Sequence, residues 1–278
     1  MLDHEDEGQF SRLLERIGIS RPVAPTAEAL MSLHEAFSLA IPYENISIQL
    51  AERNSLDART ALPRLSSGRR GGWCYDLNGA FGLLLAECGF QVRRVTGAGS
   101  RETLGDFWIG SHLVLLVDLP EGPWLADVGY GDGPVRAVPL VEHEFQSAFF
   151  KCSLSKLGDG WWRYQNDPRA SAPSFDFRED DALSGELARM HDWLSTSEES
   201  PYIQNLVVQR WSNDCHATLR GKVLTILTPS DKQKQTLPSR EAWLAVLRSQ
   251  FDIELGPDDA ARLWQKVEHR HSRLAVAT

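Results

Sequence analysis

The segment Arg69-Arg70-Gly71-Gly72-Trp73-Cys74-Tyr75-Asp76-Leu77-Asn78 delivers a cysteine, behind two glycines, to the first turn of an expected helix. Unpaired N–H groups and the positive end of the helix dipole favour a thiolate there, the nucleophilic form of cysteine. The glycines let an acyl group or a substrate backbone approach closely. The same spacing also suits a Gly-Gly turn whose cysteine merely packs, and the segment by itself leaves both readings open.

A reactive thiol needs a base for its proton and a group that fixes the base's tautomer. His112 opens the apolar run Ser111-His112-Leu113-Val114-Leu115-Leu116-Val117, and Asp127 interrupts Trp124-Leu125-Ala126-Asp127-Val128. Both cost free energy to bury unless paired. Pro120-Glu121-Gly122-Pro123 turns one run into the other as an antiparallel hairpin. Folding about Leu119 and Pro120 sets His112 opposite Asp127, whereas folding about Glu121 and Gly122 leaves them four residues out of step. Either offset is even, so both side chains share a face. Cys74, His112 and Asp127 then form a helix-borne thiol facing a His–Asp pair on a sheet. That is an acyl-transfer apparatus which does not identify its substrate.

The elements that must position these residues follow from periodicity. Phe10, Leu13, Leu14 and Ile17 before Gly18 predict one helix, and Thr26 caps a second that carries Leu30, Leu33 and Phe37 until Pro42 stops it. His34 sits beside the apolar positions of that helix and reads as a packing histidine. A third helix runs from Cys74 through Leu77, Phe81, Leu84 and Leu85 to Gly89. Short extended runs follow at 91–95, 111–119, 124–128, 152–157 and 161–165, with Gly158-Asp159-Gly160 as a hairpin signal. Such spacing predicts an antiparallel sheet or barrel, not βαβ units. Residues 181–194 return to helical spacing, and 205–211, 216–219 and 223–227 are extended again. Two helices close the chain, one capped by Ser239 and burying Trp243, Leu244 and Leu247, the other starting at Pro257-Asp258 and carrying Leu263, Trp264 and Val267.

Arg70-Gly71-Gly72-Trp73-Cys74 with Asn78, the Ser111-His112-Leu113 strand and Asp127-Val128-Gly129-Tyr130-Gly131 together resemble the arylamine N-acetyltransferases. Ile41-Pro42-Tyr43-Glu44-Asn45 resembles that family's Pro-aromatic-Glu-Asn motif. Trp193-Leu194-Ser195-Thr196 with Ser200-Pro201-Tyr202 resembles its mid-chain segment. The resemblance, of the bacterial type, implies an α+β fold with a cysteine-protease-like Cys-His-Asp core. Its parts would be an N-terminal helical bundle (1–90), a central antiparallel β-barrel (91–193), and an interdomain segment with a C-terminal α/β lid (194–278). It implies Cys74 as nucleophile, His112 as base and Asp127 as orienting acid, with Tyr43, Tyr75, Ser111, Gly129, Tyr130 and Tyr202 around the substrate. Acetyl-CoA would be the donor, and an arylamine, arylhydrazine or N-hydroxyarylamine the acceptor, in a ping-pong reaction through an acetyl-cysteine. The chain departs from the family pattern at Asp76, where Glu or Gln is usual, and at Tyr43, Tyr130 and Tyr202, where Phe is common. Three phenolic hydroxyls either make the pocket polar or hydrogen-bond at its edge.

Other features bound the function. The balance of 29 basic to 38 acidic residues, net −9, disfavours a polyanion partner because the basic residues do not cluster. No apolar run reaches the ~18–20 residues that span a bilayer, and the acidic start Asp3-His4-Glu5-Asp6-Glu7 is the reverse of a signal peptide, which predicts a cytoplasmic protein. Cys74, Cys88, Cys152 and Cys215 form no C-x-x-C pair and are expected as reduced thiols. Asp214-Cys215-His216, Glu142-His143-Glu144 and His269-Arg270-His271 have metal-ligand types but no matched second set, so no metal is expected. Gly129-Tyr130-Gly131-Asp132-Gly133 is either an N–H nest for the donor's phosphates or a plain turn. Glu44 and Arg70 are either a buried pair bracing the cysteine loop or surface charges. Two rival functions use the same residues: a thiol peptidase or amidase with water as acceptor, and a binding protein that no longer turns over.

Overall fold

The computed structural model describes residues 4–52, 54–182 and 184–276. Apolar side chains at helical spacing bury one face each of α1 (His4–Ile17) and α2 (Ala27–Ala40). The Thr26 hydroxyl caps α2 by accepting the Ala29 N–H, as expected. Short elements β1 (Tyr43–Glu44), α3 (Ile46–Gln49) and α4 (Leu62–Ser67) lead into α5 (Cys74–Glu87). That helix is buried on nearly every side, and it stops where Gly89 takes a φ of +89°.

The chain then builds β2 (Gln91–Gly99), α6 (Arg101–Leu104), β3 (His112–Leu119), β4 (Gly122–Leu125), β5 (Val138–Pro139), β6 (His143–Ser147), β7 (Phe150–Lys156), β8 (Trp161–Gln165) and β9 (Ser174–Asp181). These eight strands form one antiparallel sheet in the order β5-β4-β3-β2-β9-β8-β7-β6. The sheet curls, but among the described residues β5 and β6 each pair on one side only. The expected barrel is therefore a half-barrel, because the two-residue β5 pairs only with β4 and supplies no ladder for closure. Gly158-Asp159-Gly160 does turn β7 into β8, with Asp159 at φ 60°, ψ 30°.

Strand β3 explains its own sequence. Leu113, Leu115 and Val117 pack against the helices, while Val114 and Leu116 face the inside of the curled sheet. Burial on both faces demands an unbroken apolar run instead of alternation.

The remaining elements are α7 (Ser184–Thr196), α8 (Pro201–Gln204), β10 (Val207–Trp211), β11 (His216–Arg220), β12 (Val223–Leu227), β13 (Lys232–Thr236), α9 (Arg240–Phe251) and α10 (Pro257–Val276). A second antiparallel sheet has the order β1-β10-β11-β12-β13 and its own core with Trp243, Leu247, Phe251 and Leu263. Its first strand comes from far upstream, with Tyr43 paired to Gln209. This crossing ties the cysteine-bearing region to the C-terminal sheet. No helix among the described residues is long and apolar enough to cross a membrane.

Candidate active site

The loop before α5 is held from three sides. The Arg16 guanidinium donates to the Arg70 carbonyl at 2.8 Å, and Arg64 donates to the Gly71 carbonyl at 2.9 Å and the Asp76 carboxylate at 2.7 Å. Gly71 lies so close to Pro42 that a Cβ would stand 1.8 Å from the Pro42 carbonyl oxygen, so only glycine fits. Asp76, in the first turn of α5, is raised to about 6 by burial, against the opposing pull of Arg64.

Glu44 and Arg70 do form a buried pair. Glu44 is 1 % exposed, and its carboxylate accepts from Arg70 Nε at 2.8 Å, from the Gly71 N–H at 3.2 Å and from the Ile46 N–H at 2.6 Å. Burial would raise its pKa, but Arg70, helped by Arg64 and the Ile46 N–H, holds the carboxyl below its ordinary value. Glu44→Gln leaves Arg70 without its counter-charge, and urea unfolding at pH 7 is expected to show a loss of about 3 kcal/mol. A depressed carboxyl pKa stabilises the fold above the unfolded value near ~4.3 and ceases to do so as pH falls through the folded value. The gap between the two proteins should therefore narrow below about pH 4.

The β3–β4 hairpin adopts neither anticipated register. Leu119 pairs with Gly122 and Leu116 with Leu125, so the chain folds about Pro120 and Glu121. Asp127 lies beyond the end of β4, two positions out of step with His112, and the even offset keeps both on one face. His112 Nε2 and Asp127 Oδ2 are 2.6 Å apart, and both residues are buried. Asp127 Oδ1 accepts the Gly129 N–H at 2.9 Å, which fixes the carboxylate plane. Asn78 on α5 then locks helix to sheet: its Nδ2 donates to the Leu113 carbonyl at 2.6 Å and its Oδ1 accepts the Val128 N–H at 2.9 Å. With Nε2 engaged, the imidazole has Nδ1 left for the Cys74 thiol, with which it also interacts. Burial would lower the His112 pKa, but the charge and hydrogen bond of Asp127, with a contribution from Cys74, raise it to about 10.

The Cys74 thiol points toward the Ser111 carbonyl at 3.7 Å, on the wall of a cavity of about 280 Å³. Tyr43, Ser111, His112, Gly129, Tyr130 and Tyr202 line it as well. Tyr75 does not. Its hydroxyl donates to the Gly110 carbonyl and its ring packs between Trp73 and His191, so it turns away into the core. The helical period is the reason: a residue next to Cys74 on α5 points about 100° away from it.

Comparison with known proteins bears on this geometry. A family model described as N-acetyltransferase matches residues 26–260, most of the chain. The chain belongs to the arylamine N-acetyltransferase family. It is 28% identical to the arylamine N-acetyltransferase of Escherichia coli over 88% of each chain. It is 40% identical to the arylamine N-acetyltransferase / N-hydroxyarylamine O-acetyltransferase of Salmonella typhimurium over 139 residues, 49% of this chain and 50% of that one. Its fold matches the arylamine N-acetyltransferase of Mycobacterium abscessus with a TM-score of 0.83 at 27% identity, covering 95% and 96% of the two chains. The Mycobacterium marinum arylamine N-acetyltransferase in complex with CoA matches with a TM-score of 0.84 at 26% identity, covering 94% and 98%.

As an N-acetyltransferase, the protein is an enzyme, and several residues of its site carried no role at the level of sequence. Asn45 is one: its Nδ2 donates to the Tyr202 and Asn205 carbonyls at 2.9 and 2.8 Å and its Oδ1 accepts the Val207 N–H at 2.8 Å, which docks the mid-chain segment on the cavity. A second cavity of about 410 Å³ adjoins the first, sharing Ser171 and Arg220 with it. It gathers Arg169, Arg220, Lys222, Lys232, Lys234 and Arg270 from a chain that is acidic as a whole. The signal was the alternating Lys232-Gln233-Lys234-Gln235, which lacks apolar residues and so gave no strand. Gly129 and Tyr130 face the first cavity, and Asp132 is buried where it accepts from the Ser171 N–H and hydroxyl. Among the described residues no group of three or more His, Cys, Asp or Glu is placed to hold a metal ion.

Proposed function

We propose that this acetyltransferase moves the acetyl group of acetyl-CoA to an arylamine, arylhydrazine or N-hydroxyarylamine by a ping-pong mechanism through an acetyl thioester on Cys74. The observation that carries this reading is the buried line Asp127–His112–Cys74 opening onto a cavity with aromatic walls. A base as strong as His112 takes the thiol proton near neutral pH. The Cys74 sulfur attacks the thioester carbonyl, the carbon–sulfur bond to CoA breaks, and the departing CoA sulfur takes the proton from His112. In the second half-reaction the amine nitrogen attacks the acetyl-cysteine while His112 accepts an N–H proton. Collapse returns that proton to the Cys74 sulfur and releases the amide. Arylamines suit such a site because their low basicity leaves the nitrogen lone pair free at neutral pH.

Tyr43, Ser111, Gly129, Tyr130 and Tyr202 form the acceptor slot in this reading, and Tyr75 acts only behind it. The cations of the second cavity hold the donor's phosphates, whose charge they match. The same reading divides the chain into the cysteine-bearing helical part (1–90), the His–Asp sheet (91–193) and the lid (194–278). Two measurements test it: release of CoA from acetyl-CoA with and without an arylamine, and the intact mass of the enzyme after donor alone. Parallel double-reciprocal lines and a single acetyl adduct on Cys74 are expected. Release that ignores the amine would indicate a hydrolase, and intersecting lines with no adduct would overturn the covalent route.

A further inference from the structure

The Tyr43 and Tyr202 hydroxyls meet 2.9 Å apart on the wall of the Cys74 cavity. One bond joins two O–H groups, so whichever donates, one phenolic proton is left with no partner among the described residues. The third phenol of the cavity is already spent, because Tyr130 donates to the Ser174 carbonyl. Tyr202 is also held in place: the Asn45 and Gln49 amides donate to its carbonyl at 2.9 and 2.6 Å, and the Ser200 hydroxyl accepts its N–H at 3.1 Å. Arg220, at the end of β11, is an exposed residue at the rim of the same cavity, makes no ion pair among the described residues, and lies close enough for its charge to act on the Tyr202 hydroxyl. A plain aromatic ring leaves this half-buried donor without a partner, which weakens binding relative to a ring that accepts its hydrogen bond.

We propose that, within the acceptor class given above, on which this inference rests, the cavity selects arylamines or arylhydrazines whose ring carries an anionic substituent, a carboxylate above all. The spare phenolic O–H of the Tyr43–Tyr202 pair donates to one carboxylate oxygen, and Arg220 supplies the counter-charge. Arg220 stands on the boundary of the two cavities, so in a ping-pong cycle it faces the donor's phosphates first and the acceptor's carboxylate after CoA has left. Tyrosine in place of the phenylalanine common in the family thus turns an apolar slot into one that reads charge.

The test compares kcat/KM for 4-aminobenzoate and 4-methylaniline in the wild type, Tyr202→Phe, Tyr43→Phe and Arg220→Gln. Acetyl-Cys74 formation from acetyl-CoA alone is followed by intact mass in each. The ratio between the two amines, taken variant against wild type, cancels their different nucleophilicity. Charge-assisted hydrogen bonds being roughly twice as strong as neutral ones, Tyr202→Phe and Arg220→Gln are each expected to lower the carboxylate-to-methyl ratio about tenfold. Tyr43→Phe should lower it less, because the Tyr202 hydroxyl remains. An unchanged ratio in Tyr202→Phe and Arg220→Gln overturns the proposal while leaving acetyl transfer standing. If Tyr202→Phe slows acetyl-Cys74 formation as much as acetyl transfer, the hydroxyl serves the thioester oxygen instead, and the selectivity is again refuted. If the wild type acetylates no arylamine at all, the underlying reading falls and the selectivity with it.

Discussion

Cys74→Ala is expected to reduce acetyl transfer by at least about 10⁴-fold and to remove the acetyl adduct, because Cys74 is the only thiol among the described residues that line the cavity. The loss must be chemical and not structural. The thiol occupies little volume, and its hydrogen bond to the Ser111 carbonyl is long, so unfolding in urea should shift by no more than about 1 kcal/mol. Alkylation supplies an independent readout. Burial raises the Cys88 thiol and pushes Cys152 up to about 11, so at pH 7 a limiting amount of iodoacetamide should label Cys74 ahead of both. Peptide mapping shows the order. An alanine variant that keeps more than a hundredth of the wild-type rate would sink the covalent mechanism, whatever the fold.

What the sequence reveals and what it hides divide along physical lines. Helices with one buried face announce themselves by period and cap, which is why Thr26, Gly89 and Ser239 mark true ends. The Cys74 loop was legible because glycine pairs before a helix are costly unless something needs the space, and Pro42 is that something. The two charges at Glu44 and Arg70 carried no such mark: a buried pair and two surface residues look alike until the partner is seen. Strand ends failed for another reason. The apolar run 124–128 predicts Asp127 inside a strand, yet β4 ends at Leu125, and the carboxylate instead projects from irregular backbone pinned by Asn78 and by its own bond to the Gly129 N–H. Very short or wholly exposed strands, β1, β5 and β13, bury no alternating face and so leave no period to read. Tyr75 shows the limit of carrying a site residue over by proximity, since one step along a helix turns a side chain from the cavity into the core.

Asp127→Asn should be nearly as damaging as loss of the thiol, about 10³–10⁴-fold in kcat, even though it changes one atom and keeps the shape. The Gly129 N–H donates to Oδ1, so the asparagine oxygen must stay there and its Nδ2 must face the histidine. An amide N–H aimed at Nε2 forces the imidazole proton onto Nδ1, the nitrogen left for Cys74, and a ring that donates there cannot take the thiol's proton. With the carboxylate gone, His112 loses the strongest influence that raises its pKa, and burial, which lowers it, is opposed only by Cys74. The pH dependence distinguishes this from a simple loss of packing. A histidine pKa raised by folding contributes stability in full below the unfolded value near ~6.5, and that contribution drains away as pH rises through the folded value. The stability gap between wild type and Asp127→Asn should therefore be small near pH 10 and open as pH falls toward about 6.5. Alkylation of Cys74 at pH 7 should be at least about tenfold slower in the variant. Equal alkylation rates at pH 7, or a gap that does not vary with pH, would mean that Asp127 only packs beneath the ring, and that the proton of Cys74 is taken by some other group.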